Sequence, residues 1–137
     1  MSLVASARSV PGTSMQRVLI DGRHAITTDE PERLGGYGVG PAPHELLPAA
    51  LAACISTTLQ TYARTKSWDV GEILVDVVYD NTSTPRRFDV AVELSGQVDD
   101  AQLARLAKVA AACPLRRALE AGFEFHERIL RAELAAA

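Results

Sequence analysis

The spacing of apolar residues changes character along the chain. Over residues 2 to 31 they alternate with polar ones and carry β-branched side chains, in Leu3-Val4, Val18-Leu19-Ile20 and Ile26-Thr27-Thr28. Pro11-Gly12 and Asp21-Gly22 interrupt these runs, and Asp-Gly between two alternating runs signals a hairpin. The pattern predicts three antiparallel strands near 2–9, 15–20 and 24–29. Residues 40–68, GPAPHELLPAALAACISTTLQTYARTKSW, switch to helical spacing, with Leu46, Leu47, Ala50, Leu51, Cys54, Ile55, Leu59 and Tyr62 on the repeat. Ala49, Ala52 and Ala53 fill much of the remaining surface. A helix apolar or small nearly all round is expected to be buried. At roughly 20 residues it would be about 30 Å long, the width of a small domain. Pro48 sits about one turn inside, where it either bends the axis or marks the effective helix start.

Between these regions, residues 30–43 (EPERLGGYGVGPAP) hold four glycines and three prolines and predict a flexible connecting loop. A Gly-rich loop can also cradle an anion, but no Gly-Lys-Ser/Thr ending supports a phosphate site. Downstream, Val70–Tyr79 and Phe88–Leu94 read as two strands joined through Asp80–Arg87. Asp99 opens a second helix, with Gln102 as its capping-box partner and Leu103, Leu106, Ala107 and Ala110 as its apolar face. Cys113-Pro114 starts a third, short helix that Gly122 stops. The tail, Phe123 to Leu134, alternates imperfectly and predicts a closing strand.

Length and composition narrow the functional classes. With 137 residues the chain is expected to form one domain, 1–137. Fourteen basic against 17 acidic residues, a net charge of -3, argue against a general nucleic-acid grip. The polar residues Ser56, Thr57, Thr58 and Gln60 interrupt the long helix, which argues against a membrane span. The first residues lack a signal-peptide pattern, so the expected location is cytoplasmic. No Cys-x-x-Cys occurs, and His24, His44 and His126 lack metal-ligand spacing. No metal and no cofactor are expected.

The chemistry that remains lies in two cysteines. Cys54 falls mid-helix, where an unpaired cysteine is an ordinary core residue. Cys113 precedes a proline and is placed to cap the third helix. There the free amides and the helix dipole lower a thiol pKa, and Arg116 and Arg117 follow within a turn. The two cysteines are 59 residues apart, and spacing alone does not bring them together.

The string from Gly40 to Trp68 resembles the first signature of the OsmC/Ohr family, the osmotically induced and organic-hydroperoxide-resistance proteins. Residues 106–119, LAKVAAACPLRRAL, place Cys-Pro as in that family's second motif. Asp29-Glu30-Pro31 followed by GGYGVGP resembles the loop of its general OsmC-like branch. The resemblance covers nearly the whole chain. It implies an α+β, OsmC-like fold: a long central buried helix wrapped by antiparallel sheets in an intertwined homodimer. It also implies a metal-free thiol peroxidase, with Cys54 as the peroxidatic and Cys113 as the resolving cysteine. The substrate would be an organic hydroperoxide or hydrogen peroxide, and the reductant a dithiol or small thiol.

A buried thiol needs a neighbouring cation to ionise. In the hydroperoxide-specific branch a loop arginine serves, oriented by a glutamate ten residues before the cysteine. That position here is His44, with Glu45 one place later. Arg23 is the first candidate for the cation and Arg33 the second. Ten residues of continuous helix span about 15 Å, so His44 or Glu45 would reach the thiol of a partner subunit rather than its own. Leu51, Ile55, Tyr37 and Val39 would line an apolar peroxide site. Two alternatives stay open: a non-catalytic or redox-sensing dimer that binds an apolar ligand, and a hotdog-like thioesterase using Glu45.

Overall fold

The computed structural model describes residues 1–133. Its first element is a meander of three antiparallel strands, β1 (Ala5–Ser9), β2 (Gln16–Ile20) and β3 (His24–Thr28), in that order. Asp21 and Gly22 both take positive φ, 53° and 66°, and the Arg23 amide donates to the Ile20 carbonyl at 3.1 Å. That is the primed turn whose twist matches a hairpin. Val18 lies opposite Ala7 on one side and Ile26 on the other. The whole of β1 and most of β2 are nevertheless exposed.

The long helix α1 runs from Leu46 to Lys66, after a single 3-10 turn at Pro43–Glu45. Pro48 does not begin it. It occupies the first turn, where an amide has no helical acceptor and its loss is harmless. Ser67 ends the helix in the left-handed conformation, φ 57°. One stripe of α1 is buried, namely Leu51, Ile55, Leu59 and Ala63 at steps of four. Within a single chain the other faces remain open, unlike the all-round burial that the composition predicts. The segment Pro43–Lys66 is also long and apolar enough to cross a membrane, the polar run notwithstanding.

The buried stripe meets a two-stranded antiparallel sheet and two further helices. β4 (Ile73–Asp80) pairs with β5 (Arg87–Leu94), placing Val75 opposite Val92 and Val77 opposite Val90. α2 (Asp100–Ala111) starts at Asp99, whose carboxylate accepts from the Gln102 amide at 2.8 Å. The Gln102 side chain returns the bond by accepting from the Asp99 amide at 3.0 Å. α3 (Pro114–Ala121) starts at Cys113 and stops at Gly122. The core they enclose contains the α1 stripe with Val70, Leu106 and Cys113.

Two segments depart from expectation. Residues 30–43 form a loop of fixed geometry rather than a flexible connection. The Asp29 amide donates to the Pro41 carbonyl at 3.1 Å, and the Asp29 carboxylate accepts from the amides of Glu30, Tyr37 and Val39 at 2.9, 3.0 and 3.3 Å. The Ser14 hydroxyl donates to it as well. The anion that this loop cradles is therefore the chain's own buried carboxylate. The tail over 123–133 takes no regular structure, and Phe123, Phe125 and Ile129 are exposed. A strand forms only through hydrogen bonds to a neighbour, and none of the described strands pairs with it. Leu134, the end of that predicted strand, lies outside the described residues.

Candidate active site

Helix packing achieves what sequence spacing could not. α3 docks against the middle of α1, and the Sγ atoms of Cys54 and Cys113 share a hydrogen bond at 2.9 Å. Both are free thiols, and a small approach would bring them to the about 2.05 Å of a disulfide. Cys54 keeps partial exposure, whereas Cys113 is completely buried. Cys113 holds the N-cap of α3 in an extended conformation, φ -51° and ψ 129°. The chain arrives this way because the following proline excludes αR geometry.

The electrostatics of the two sulfurs differ. Burial pushes the Cys54 thiol up, and the proximity of Cys113 adds to the rise. The Leu115 amide and the Thr58 hydroxyl offset only part of it. Burial, the largest single influence, resists ionisation of Cys113, but the hydrogen bond from Cys54, the Arg116 and Leu115 amides and Thr58 together outweigh it. The Cys113 thiol is accordingly lowered. The start of α3, with its free amides and helix dipole, favours negative charge at Cys113. Neither the amides nor Thr58 stood out in the sequence. The helix start was visible in Cys-Pro, but its direction toward Cys54 was not.

The other expected site residues lie elsewhere in the chain. Arg23 sits in the β2–β3 turn, exposed, with its guanidinium 3.1 Å from the Asp21 carboxylate. Arg33 is exposed in the short 3-10 turn Glu32–Leu34. His44 and Glu45 occupy the exposed turn before α1, and the Glu45 carboxylate accepts from the Ala42 amide at 3.1 Å. The loop does not fold back onto Cys54. Arg116 turns its guanidinium to the Ala111 carbonyl at 2.7 Å and the Glu120 carboxylate at 3.2 Å. Leu51 is core rather than lining, and Tyr37 and Val39 are exposed on the loop. The expected cluster therefore reduces, within one chain, to the two thiols.

An open cavity of about 390 Å³ lies between α1, α2 and β5. Ile55, Leu59, Val92, Leu106 and Ala110 line it, and Arg116 stands at its side. Its lining is chiefly apolar and includes neither cysteine, although Ile55 follows Cys54 in the chain and Arg116 lies on the first turn of α3.

Solved structures share this architecture. An OsmC-like protein from Mycoplasma pneumoniae is 20% identical, covering 88% of this chain and 88% of that one, with a TM-score of 0.72. An organic hydroperoxide resistance protein, OsmC, from Legionella pneumophila is 22% identical over 85% of this chain and 88% of that one, TM-score 0.60. The organic hydroperoxide resistance protein OhrB of Bacillus subtilis is 22% identical over 85% and 89%, TM-score 0.53. At these identities the likeness is one of fold. No sequence among curated proteins matches the chain. A family profile described as OsmC-like protein matches residues 35–127, which take in the latter part of the Asp29-held loop, α1 with Cys54, the β4–β5 sheet and the Cys113 cap, and the chain belongs to the OsmC-like protein family.

Proposed function

We propose that the protein is a thiol-dependent peroxidase that reduces organic hydroperoxides. The observation that supports it above all is the pair of free thiols in hydrogen-bond contact, one reachable from solvent and the other at a helix start. In this reading the Cys54 thiolate attacks the outer oxygen of R–O–O–H. The O–O bond breaks, sulfur supplies two electrons, and the leaving alkoxide takes a proton to become the alcohol. Cys54 is left as a sulfenic acid. The Cys113 thiolate then attacks that sulfur and expels hydroxide, which leaves as water once protonated. Two equivalents of an external thiol, or one dithiol, reduce the disulfide by exchange and are themselves oxidised to a disulfide. Hydroperoxide resistance in the names of the Legionella and Bacillus proteins supports the substrate class.

Cys54 must ionise to attack, and its thiol is raised in the single chain. The reading therefore assigns the missing cation to a second subunit of a homodimer, from Arg23 or Arg33, with His44 or Glu45 orienting it. The open faces of α1 and of the β1–β3 sheet support such a partner. In the cytoplasm, a reducing compartment, both thiols would rest reduced between turnovers. One domain, residues 1–137, would carry the whole activity.

The test is consumption of an organic hydroperoxide with dithiothreitol as reductant. Cys54→Ser is expected to lose turnover altogether. Cys113→Ser is expected to accumulate sulfenic acid that a dimedone probe traps. Full turnover in Cys54→Ser overturns the proposal. The apolar cavity between α1, α2 and β5 favours a second reading, a redox-sensing or non-catalytic dimer that binds an apolar ligand. In that case one equivalent of hydroperoxide consumes no thiol.

A further inference from the structure

The two sulfurs are arranged as a chelating pair. Their Sγ atoms lie 2.9 Å apart, and both thiols are free. Cys113 is completely buried in the same core as Leu51, Ile55 and Leu106, and the partly exposed Cys54 packs against that core. Among the described residues no third histidine, cysteine, aspartate or glutamate joins them as a ligand. The guanidinium closest in sequence to Cys113, that of Arg116, is engaged by the Ala111 carbonyl and Glu120. The fold thus offers two sulfurs, held close, at the edge of an apolar core.

These features select among sulfur-seeking atoms. A structural zinc ion takes four ligands, and two are present. A linear two-coordinate ion with bonds of about 2.3 Å, the length of a zinc–sulfur bond, needs sulfurs about 4.6 Å apart. To reach that separation Cys113 would have to retreat into closely packed side chains. A pyramidal atom with similar bonds at nearly right angles needs sulfurs about 3.3 Å apart, a few tenths of an ångström wider than the pair already stands. Trivalent arsenic is such an atom. When it carries one carbon substituent it has two exchangeable oxygens, one for each thiol. The product is neutral and leaves no charge against the apolar core.

We propose that Cys54 and Cys113 form a binding site for trivalent monoorganic arsenicals, with arsenic bridging the two sulfurs. Cys54, the exposed thiol, bonds first and the ring closes on Cys113. At each sulfur an As–S bond forms as an As–O bond breaks, and the thiol proton leaves with the hydroxide as water. One arsenical and two thiols therefore give one cyclic dithioarsenite and two waters, and no atom changes oxidation state. Binding does not depend on the peroxidase reading. The corollary, that the bound arsenical stops hydroperoxide turnover, does rest on it.

The test titrates the reduced full chain with phenylarsine oxide, with free thiols counted by a chromogenic disulfide and the adduct weighed by native mass spectrometry. One equivalent per chain is expected to remove both thiols and to add the mass of the hydrated arsenical less two waters. Excess ethanedithiol should recover both thiols, and the same excess of mercaptoethanol should not. Cys54→Ser and Cys113→Ser should each bind about a hundredfold more weakly, because closing a chelate makes the second bond intramolecular. Each should also lose the arsenical to mercaptoethanol. A thiol left free at one equivalent, or a Cys113→Ser variant that holds the arsenical as firmly as the parent, overturns the inference. If a variant does not fold, the thiol count and adduct mass of the parent decide alone. A parent that binds the arsenical through both thiols yet consumes no hydroperoxide sinks the peroxidase reading and leaves the arsenical site standing. A parent that consumes hydroperoxide yet keeps its thiols free in phenylarsine oxide does the reverse.

Discussion

Cys54 and Asp29 illustrate how little a residue's type says before its neighbours are known. A mid-helix cysteine is usually core, and only contact with Cys113 gives Cys54 a chemistry. Asp29 stood in the sequence merely as the first letter of Asp-Glu-Pro. In the fold it is buried and gathers the Ser14 hydroxyl and three loop amides. The Ser14 hydrogen bond, the largest influence, and the three amides hold its pKa below the ordinary carboxylate range against the opposing effect of burial. The sign follows from linkage. A carboxylate lowered on folding adds stability that is complete above its unfolded pKa and is lost as pH falls through the folded value. Acidification below the usual carboxylate range is expected to release the loop first, read as faster amide exchange at Tyr37 and Val39. Asp29→Asn should show that fast exchange already at neutral pH. Unchanged protection in Asp29→Asn would refute the latch. At Arg23 and Arg33 the expectation divides. If one supplies the cation, its alanine variant loses at least tenfold in hydroperoxide turnover while the other stays near the parent, about the effect of one pKa unit at the thiol.

At the scale of elements, boundaries set by local chemistry were legible. Asp99 with Gln102, Pro114 and Gly122 each act within one turn of themselves, and they bound α2 and α3 as read. Asp99→Ala should cost about 1 kcal/mol, since it frees the Gln102 amide. Denaturant unfolding measures that loss. Truncating the buried stripe is more severe. Leu59→Ala is expected to cost about 2–5 kcal/mol by the same measurement, because Leu59 is buried among α1, β5 and α2. The loop at 30–43 was misread for a physical reason. Glycine is both the most flexible residue and the smallest, and composition does not say which property is in use. At Gly36 and Gly40 it is size, since an added Cβ would fall on the Glu30 and Thr27 carbonyls. Gly40→Ala should therefore destabilise by about 1–3 kcal/mol.

For the whole molecule, one chain leaves much apolar surface uncovered. Leu19 and Ile20 in β2, Val78 in β4, and Phe123, Phe125 and Ile129 in the tail are all exposed. A second copy that covers them would also give the predicted closing strand an edge to pair with. Sedimentation is expected to find a dimer whose melting temperature rises with protein concentration. Deletion of residues 123–133 should weaken that dimer. A monomer with full hydroperoxide turnover would contradict a site completed between subunits.

The sequence by itself determined the elements and their order as far as Gly122, because alternation, helical spacing, caps and an Asp-Gly turn act over a few residues. It also singled out the two thiols, as the residue type able to do redox chemistry without a cofactor. Only the tertiary structure decided that sulfurs 59 residues apart share a hydrogen bond, and that their surroundings differ, burial pushing the Cys54 thiol up while its neighbours hold the Cys113 thiol down. Those facts depend on how α3 docks on α1. Docking is set by the combined fit of side chains drawn from α1, β4, α2 and α3, and no local stretch contains that information.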